Sequence, residues 1–505
     1  MASRRELVIG GAAAATAWPL RALAAPAGAD AAARAALDSL AALPTPEARL
    51  AQLSGVSPDG LSHAVRLDLD TAREGLAIDA KLAALFPGTE PGRLPYPVGP
   101  TWGAWRQDAA EVVDADTRAI REAAERRIVL PQPFLDRTVT ALEARAASAS
   151  SPVAQALERQ AATLAGQRGT AGATPGAWHL PAGPTWYALL LERQLGEAIE
   201  PAVAHARLLA TWDRFAGEAD RLLARQGFDK GTIGDRFRAL FRDPRWHYPD
   251  TSAGRDRAVA EMNADLARAR ARVPMTIGPV PAYCLDVNTR RMTPVEEAAR
   301  KGGYRIVAAP GRPGVYFVDL ADIGRRPGWS LASVVHHELL PGHMIQMPID
   351  AAADPHPLRA AYTPAFTEGW AIYAEALAAT DGAFVGDDRR MLGYLHWMLF
   401  RIGRGLADTG IHHARWSIGA ALDRLYEVQG EPAYFAPFES DVDRICLDPG
   451  IRAAEALIWL RLEDLRREAG GDRAGAAMRR FHQIVLADGR KRLTTIAAEL
   501  GRTPA

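Results

Sequence analysis

Two cysteines in 505 residues, Cys284 and Cys446, are too few for a disulfide-knit scaffold and argue against a cysteine-based metal site. The pair could bridge in an oxidising compartment or sit apart as small buried hydrophobes, and spacing alone does not choose between these. Net charge is lacking too. Sixty basic residues face sixty acidic ones, so neither nucleic acid nor an anionic membrane is indicated as a partner. Beyond the N-terminus no apolar run approaches the ~18 residues of a membrane span, so stable membrane insertion is not expected. Fixed-period repeats are missing. So is His-Glu-x-x-His, the usual pattern of zinc hydrolases.

What remains is ordinary globular material, 48% hydrophobic and 24% charged, in a chain long enough to bury a large core. The first residues read as an address. Arg4-Arg5 precede an apolar, Ala-rich run from Leu7 to Leu20, and Ala22-Leu23-Ala24 offers a small-residue cleavage site. The paired arginines point to the twin-arginine export route; the alternative is a general secretory signal with a basic start. Residues 1–24 are therefore expected to be removed, and the protein to work in the periplasm or outside the cell.

The chemistry concentrates in His336-His337-Glu338-Leu339-Leu340-Pro341-Gly342-His343. Two ligands four residues apart on a helix are turned by about 40°, so both reach one ion. His337 and His343 are six apart, turned by about 240° with about 9 Å of rise, and a regular helix would separate them. Pro341 lacks an N–H and its ring clashes with the His337 carbonyl, so the helix must be distorted there. Gly342 tolerates unusual dihedrals. Such a distortion can return His343 to the side of His337. His336 paired with His343 has the right face but about 10.5 Å of separation, which makes His337 the better ligand.

Helical spacing of Ala and Leu dominates residues 30 to 272, with Pro/Gly/aromatic loops at 86–105 and 166–183. After Pro274, Tyr304–Val307 and Gly314–Val318 read as one or two strands just ahead of the histidines. Tyr316 in the second of these is a candidate substrate-facing residue, by analogy with strand addition beside a metal helix; a purely structural hairpin is the other reading. The expected architecture is mainly α, a large helical fold with a deep cleft and a small β element next to the metal helix. It divides into an N-terminal helical lobe, 25–272, and a metal-bearing lobe, 273–505.

Both His337-Glu338-x-x-Pro341-Gly342-His343 and Glu368-Gly369-Trp370-Ala371-x-Tyr373-x-Glu375 resemble the paired signatures of the DUF885 family, whose members are read as zinc metallopeptidases. The likeness extends from about residue 30 to the C-terminus. It implies Zn²⁺ held by His337, His343 and Glu368, Glu375 as support behind them, and Glu338 as general base. His336 either orients a ligand or packs. Arg401-x-x-Arg404 and Asp408-Thr-Gly-x-His412 match a further family segment. By spacing Arg401 and Arg404 share one helix face, as in a carboxylate clamp, with His412 a candidate oxyanion donor and Asp408 a candidate support; an Arg404–Asp408 ion pair ahead of a helix end at Gly410 is the blander reading. His482 is read as structural. The chain departs from the pattern at Ile451–Glu455, where relatives carry Gln-Ala and then Tyr, and at Arg492, where Pro is usual. An exported zinc hydrolase acting on a peptide is the leading expectation. A non-peptide amide or ester substrate, or a binding protein that keeps its metal site, are the alternatives.

Overall fold

A computed structural model of the chain describes residues 27–433 and 437–502. The leader expected at 1–24 lies outside the described residues. The fold is mainly α, with three short strands in one sheet among the described residues. β1 (Val287–Arg291) runs parallel to β3 (Gly314–Val318), and β2 (Tyr304–Ile306) pairs antiparallel on the other side. The two expected strands are thus present, with β3 central and β2 at an edge. The third, β1, is mostly polar (Val-Asn-Thr-Arg-Arg) and buries only Val287 and Thr289, so it lacks the apolar texture that marks a strand.

One helix organises the rest. Asp388–His412 is buried almost continuously from Leu392 to His412, including the polar His396, Arg404, Asp408, Thr409 and His412. It packs against Pro201–Arg225, Gly328–Glu338 and Ile451–Glu468. Contact with Gly328–Glu338 is close enough that a Cβ on Gly393 would lie 2.0 Å from the Trp329 carbonyl oxygen. The main hydrophobic core extends from Ile78 to Ile496 without a break near residue 273. A smaller cluster (Leu37, Leu40, Leu53, Leu69, Leu76) joins the first helices to Tyr362. Cys284 and Cys446 are both buried and unpaired.

Ionic contacts tie the N-terminal helices to the C-terminal half. Asp68, on the helix His63–Leu85, accepts from Arg359 Nε at 2.7 Å with both side chains fully buried. Asp79 accepts from Arg193 Nε and from the Tyr362 hydroxyl, each at 2.7 Å. His63 bridges Asp488 at 2.7 Å and Glu499 at 2.9 Å, and those two carboxylates push it up to about 9.

Two outcomes follow. Asp68→Ala strands the buried Arg359 charge and should cost about 3–5 kcal/mol in urea unfolding; an unchanged midpoint would contradict that role. For His63, whose pKa rises from 6.5 when unfolded to about 9 when folded, the stabilisation is complete below pH 6.5 and lost as pH rises through about 9. The stability gap between the parent and His63→Gln should therefore shrink from pH 6 to pH 10, as thermal unfolding across that range would read.

Candidate metal centre

The helix Gly328–Glu338 carries Leu331, Ala332, Val334 and Val335 into the core and delivers His336, His337 and Glu338 in its last turn. It stops at Leu339, and a second helix, His343–Ala353, starts after Gly342. The expected distortion is a complete break between two helices. A Cβ on Gly342 would stand 2.0 Å from the His337 carbonyl oxygen, so only glycine fits the return of the chain. The Trp370 indole N–H holds the connection, donating to the carbonyls of Pro341 at 3.1 Å and Gly342 at 3.3 Å.

That return places the His337 and His343 rings edge to face, 4.8 Å apart. Glu368, in the first turn of the helix Phe366–Thr380, closes the group: its two carboxylate oxygens lie 3.4 Å from His337 Nε2 and 3.4 Å from His343 Nε2. Ligands bound at about 2.0–2.1 Å in a tetrahedron lie roughly 3.3–3.4 Å apart, so the spacing suits zinc. One donor atom from each of the three residues falls within 4.8 Å of the others. His343 is fully buried, and neither of its ring nitrogens makes a hydrogen bond. Orphaned imidazole nitrogens beside a carboxylate are what a metal ion would satisfy. The residues fit the group.

Support comes from behind. His337 Nδ1–H donates to Glu375 Oε1 at 2.7 Å, and Ser333 Oγ donates to the other Glu375 oxygen at 2.7 Å. The carboxylate thus fixes the tautomer that turns the His337 Nε2 lone pair towards His343 and Glu368. Burial lowers the His343 pKa and keeps its ring neutral, hence able to ligate. Burial and the Arg401 charge also work to lower His337, but Glu375 and Glu368 outweigh them and its pKa is raised. Glu338 follows His337 onto the pocket wall and is ion-paired with Arg305 of β2. Burial works to raise this carboxyl, yet Arg305, His337 and His343 together hold it below the usual range. The pocket encloses ≈ 270 Å³, and Tyr316, Arg401 and Arg404 line it as well.

Compared with known proteins, the chain matches the family model described as "Bacterial protein of unknown function (DUF885)" over residues 104–500. This chain belongs to the DUF885 family. The match begins well after the residue 30 expected from the motifs. Two solved structures share the fold of this DUF885 protein. One is the "putative lipoprotein from Colwellia psychrerythraea", at TM-score 0.67 and 22% identity over 90% of this chain and 91% of that one. The other, a "putative lipoprotein of unknown function from Shewanella oneidensis", has a TM-score of 0.66 and 16% identity over 92% of each chain. No curated protein matches the sequence.

Two further candidates of this DUF885 protein, His412 and Asp408, sit differently from expectation, and His336 takes the packing role left open for it. His412 cannot serve as an oxyanion donor, because both ring nitrogens are engaged by backbone. Its Nδ1 accepts from the Ala177 N–H at 3.2 Å, and its Nε2–H donates to the Ile445 carbonyl at 3.0 Å. Burial pushes it down to about 4, so no second proton is held. Asp408 neither pairs with Arg404 nor touches the pocket. It accepts from the Tyr187 hydroxyl and from the N–H groups of Gly450, Arg452 and Ala453, and so caps the helix Ile451–Glu468. The helix itself runs through Gly410 to His412. His336 donates to the Leu340 carbonyl at 3.1 Å and faces a separate cavity of ≈ 350 Å³ with Pro341 and Phe384, away from the donor set. His482 is structural, bonded to Tyr373 and the Thr276 carbonyl.

Sequence reasoning missed Arg305 and Arg452, both on the pocket wall. A strand arginine and an arginine one position past a helix start carry no local signal for that placement.

Because Asp408 gathers four hydrogen bonds, three of them fully buried, Asp408→Ala should destabilise the protein by roughly 3 kcal/mol through stranded donors. Metal content of the folded protein should be unchanged. A variant of full stability that has lost metal would reverse this assignment.

Proposed function

We propose that this DUF885 protein is an exported zinc-dependent hydrolase, acting on peptide bonds. The observation that carries the reading is the Glu338 carboxylate beside three clustered donors, His337, His343 and Glu368, backed by Glu375. A structural zinc site closes with four protein ligands and has no use for a neighbouring base; three ligands and an open side are the catalytic arrangement. Zinc, when bound, supplies Lewis acidity towards a carbonyl and makes a coordinated water acidic enough to react near neutral pH.

The protein's own groups do the rest. Arg305 engages Glu338 Oε2, which leaves Oε1 to take a proton from the attacking water and hand it to the departing amine. Glu375 and Ser333 keep His337 oriented throughout. With His412 committed to backbone, the developing oxyanion needs donors from the pocket wall, where Tyr316 and the arginines stand. Export is supported by the Arg4-Arg5 leader pattern, and the two structural neighbours are themselves titled lipoproteins. No helix among the described residues is long and apolar enough to cross a membrane.

The test is metal content of the purified protein together with cleavage of a mixed peptide library, with and without chelator. About one zinc per chain and chelator-sensitive cleavage are expected; no zinc after reconstitution refutes the reading. Glu338→Gln should cut turnover about 10²–10⁴-fold while sparing metal. Glu375→Gln should weaken metal affinity about 10–100-fold, read by competition with a chromogenic chelator.

A further inference from the structure

The helix Asp388–His412 presents Arg401 and Arg404 on the pocket wall, three residues apart. Arg404 is only 8% exposed. Neither guanidinium makes a hydrogen bond among the described residues. Their nearest carboxylates stand at ion-pair distance only: Glu375 Oε1 is 3.5 Å from Arg401 Nε, and Glu455 Oε2 is 3.6 Å from Arg404 Nη2. The Nε atom of each is buried without a hydrogen-bond partner. Two guanidinium groups carry ten N–H donors between them, and buried donors of this kind are normally satisfied. Aromatic faces hold the groups in place, Trp397 at 5.0 Å from Arg401 and Phe400 at 4.5 Å from Arg404. Stacked in this way, a guanidinium keeps its edges free for a planar anion.

Charge on the pocket points the same way. Arg305, Arg326, Arg401, Arg404, Arg444 and Arg452 all line it, against Glu338, Glu368 and Asp441 on the wall and Glu375 and Glu455 behind. The balance is positive before a divalent cation is added. Glu455 is shared between Arg404 and Arg452, so neither arginine has a carboxylate to itself. Arg452 and Glu455 both come from Ile451–Glu455, the segment where this chain departs from the family pattern.

Position limits what the anion can be. Arg401 Nε and the His337 ring both contact Glu375 Oε1, at 3.5 Å and 2.7 Å. The guanidinium therefore lies beside the donor set, within the reach of one or two extended residues at about 3.3–3.6 Å each. We propose that the pocket selects its substrate by a carboxylate within about two residues of the scissile bond, held by Arg401 and Arg404 with Arg452 in support. The carboxylate is the free C-terminus of a short peptide or an acidic side chain. The word substrate rests on the hydrolase reading; the anion site is tested without it.

The experiment is calorimetric binding to the full-length protein, with chelator present to halt turnover, of acetyl-tetra-alanine as free acid and as C-terminal amide. The acid should bind at least about ten-fold tighter, and added salt should narrow the gap. In Arg404→Gln and Arg401→Gln the preference should fall to within about two-fold. Arg444→Gln, at a half-exposed rim position, should reduce it less. Equal affinities for acid and amide in the unmutated protein overturn the proposal whatever the variants do. Acetyl-Ala-Ala-Glu-Ala amide separates the sources. Binding like the free acid assigns the carboxylate to a side chain, and binding like the neutral amide assigns it to the C-terminus. Cleavage after zinc loading is read independently. Preference for the acid with no cleavage of any peptide leaves the anion site standing and sinks the hydrolase reading. Cleavage of acid and amide alike, with equal affinities, does the reverse.

Discussion

Between Leu339 and Gly342 the backbone leaves helical dihedrals, and the site depends on that interruption. A continuous helix would carry His343 about 9 Å along the axis and to another face, where it could share no ion with His337. Pro341 prevents continuation, and Gly342 lets the chain pass against the His337 carbonyl at a distance no side chain could tolerate. The Trp370 indole N–H donates to the Pro341 carbonyl in the break and reaches the Gly342 carbonyl, which also accepts from Ile345 and Gln346 of the following helix. Trp370 also lies two residues from Glu368 on the same helix. The group that repairs the backbone and the group that completes the donor set are therefore positioned by one element.

Around this break a strongly polar centre is buried. His337, His343 and Glu375 are buried, and each ionisable neighbour is held by another: Glu375 by His337, Ser333 and Arg401, Glu338 by Arg305, Glu455 by Arg404 and Arg452. In low dielectric such charges interact strongly, so the arrangement is stable only when nearly all of them have counterparts. What is missing are hydrogen bonds, at both His343 nitrogens and at the Nε atoms of Arg401 and Arg404, which lie close together around Glu375 and His337. A bound cation would satisfy the first, and the anion proposed above would satisfy the second.

Several side chains that look chemical in the sequence are structural here, and for one reason. His412, His482 and Asp408 sit inside the helical core, and a buried polar group must be paired. Backbone carbonyls and N–H groups at helix ends are the nearest partners, so these residues stitch helices together. Proximity in a motif does not separate a residue that serves the pocket from one that serves the core behind it. Arg404 and Asp408 are four apart on one helix, yet one reaches the pocket and the other caps Ile451–Glu468.

The sequence by itself determined the helical class, the pair of strands ahead of the histidines, and the need for a break at Pro341, because periodicity and the missing proline N–H are local properties. The motifs also pointed to His337, His343, Glu368 and Glu375 as one group, and the structure brings these four side chains together. Only the tertiary structure decided which way Asp408 and His412 face, since that depends on Tyr187 and Ala177, more than two hundred residues away. It alone brought Arg305 and Arg452 to the pocket from β2 and from the start of Ile451–Glu468. Their positions follow from how the strand and that helix pack against the metal-site helices, and no spacing within the chain encodes a distance between elements.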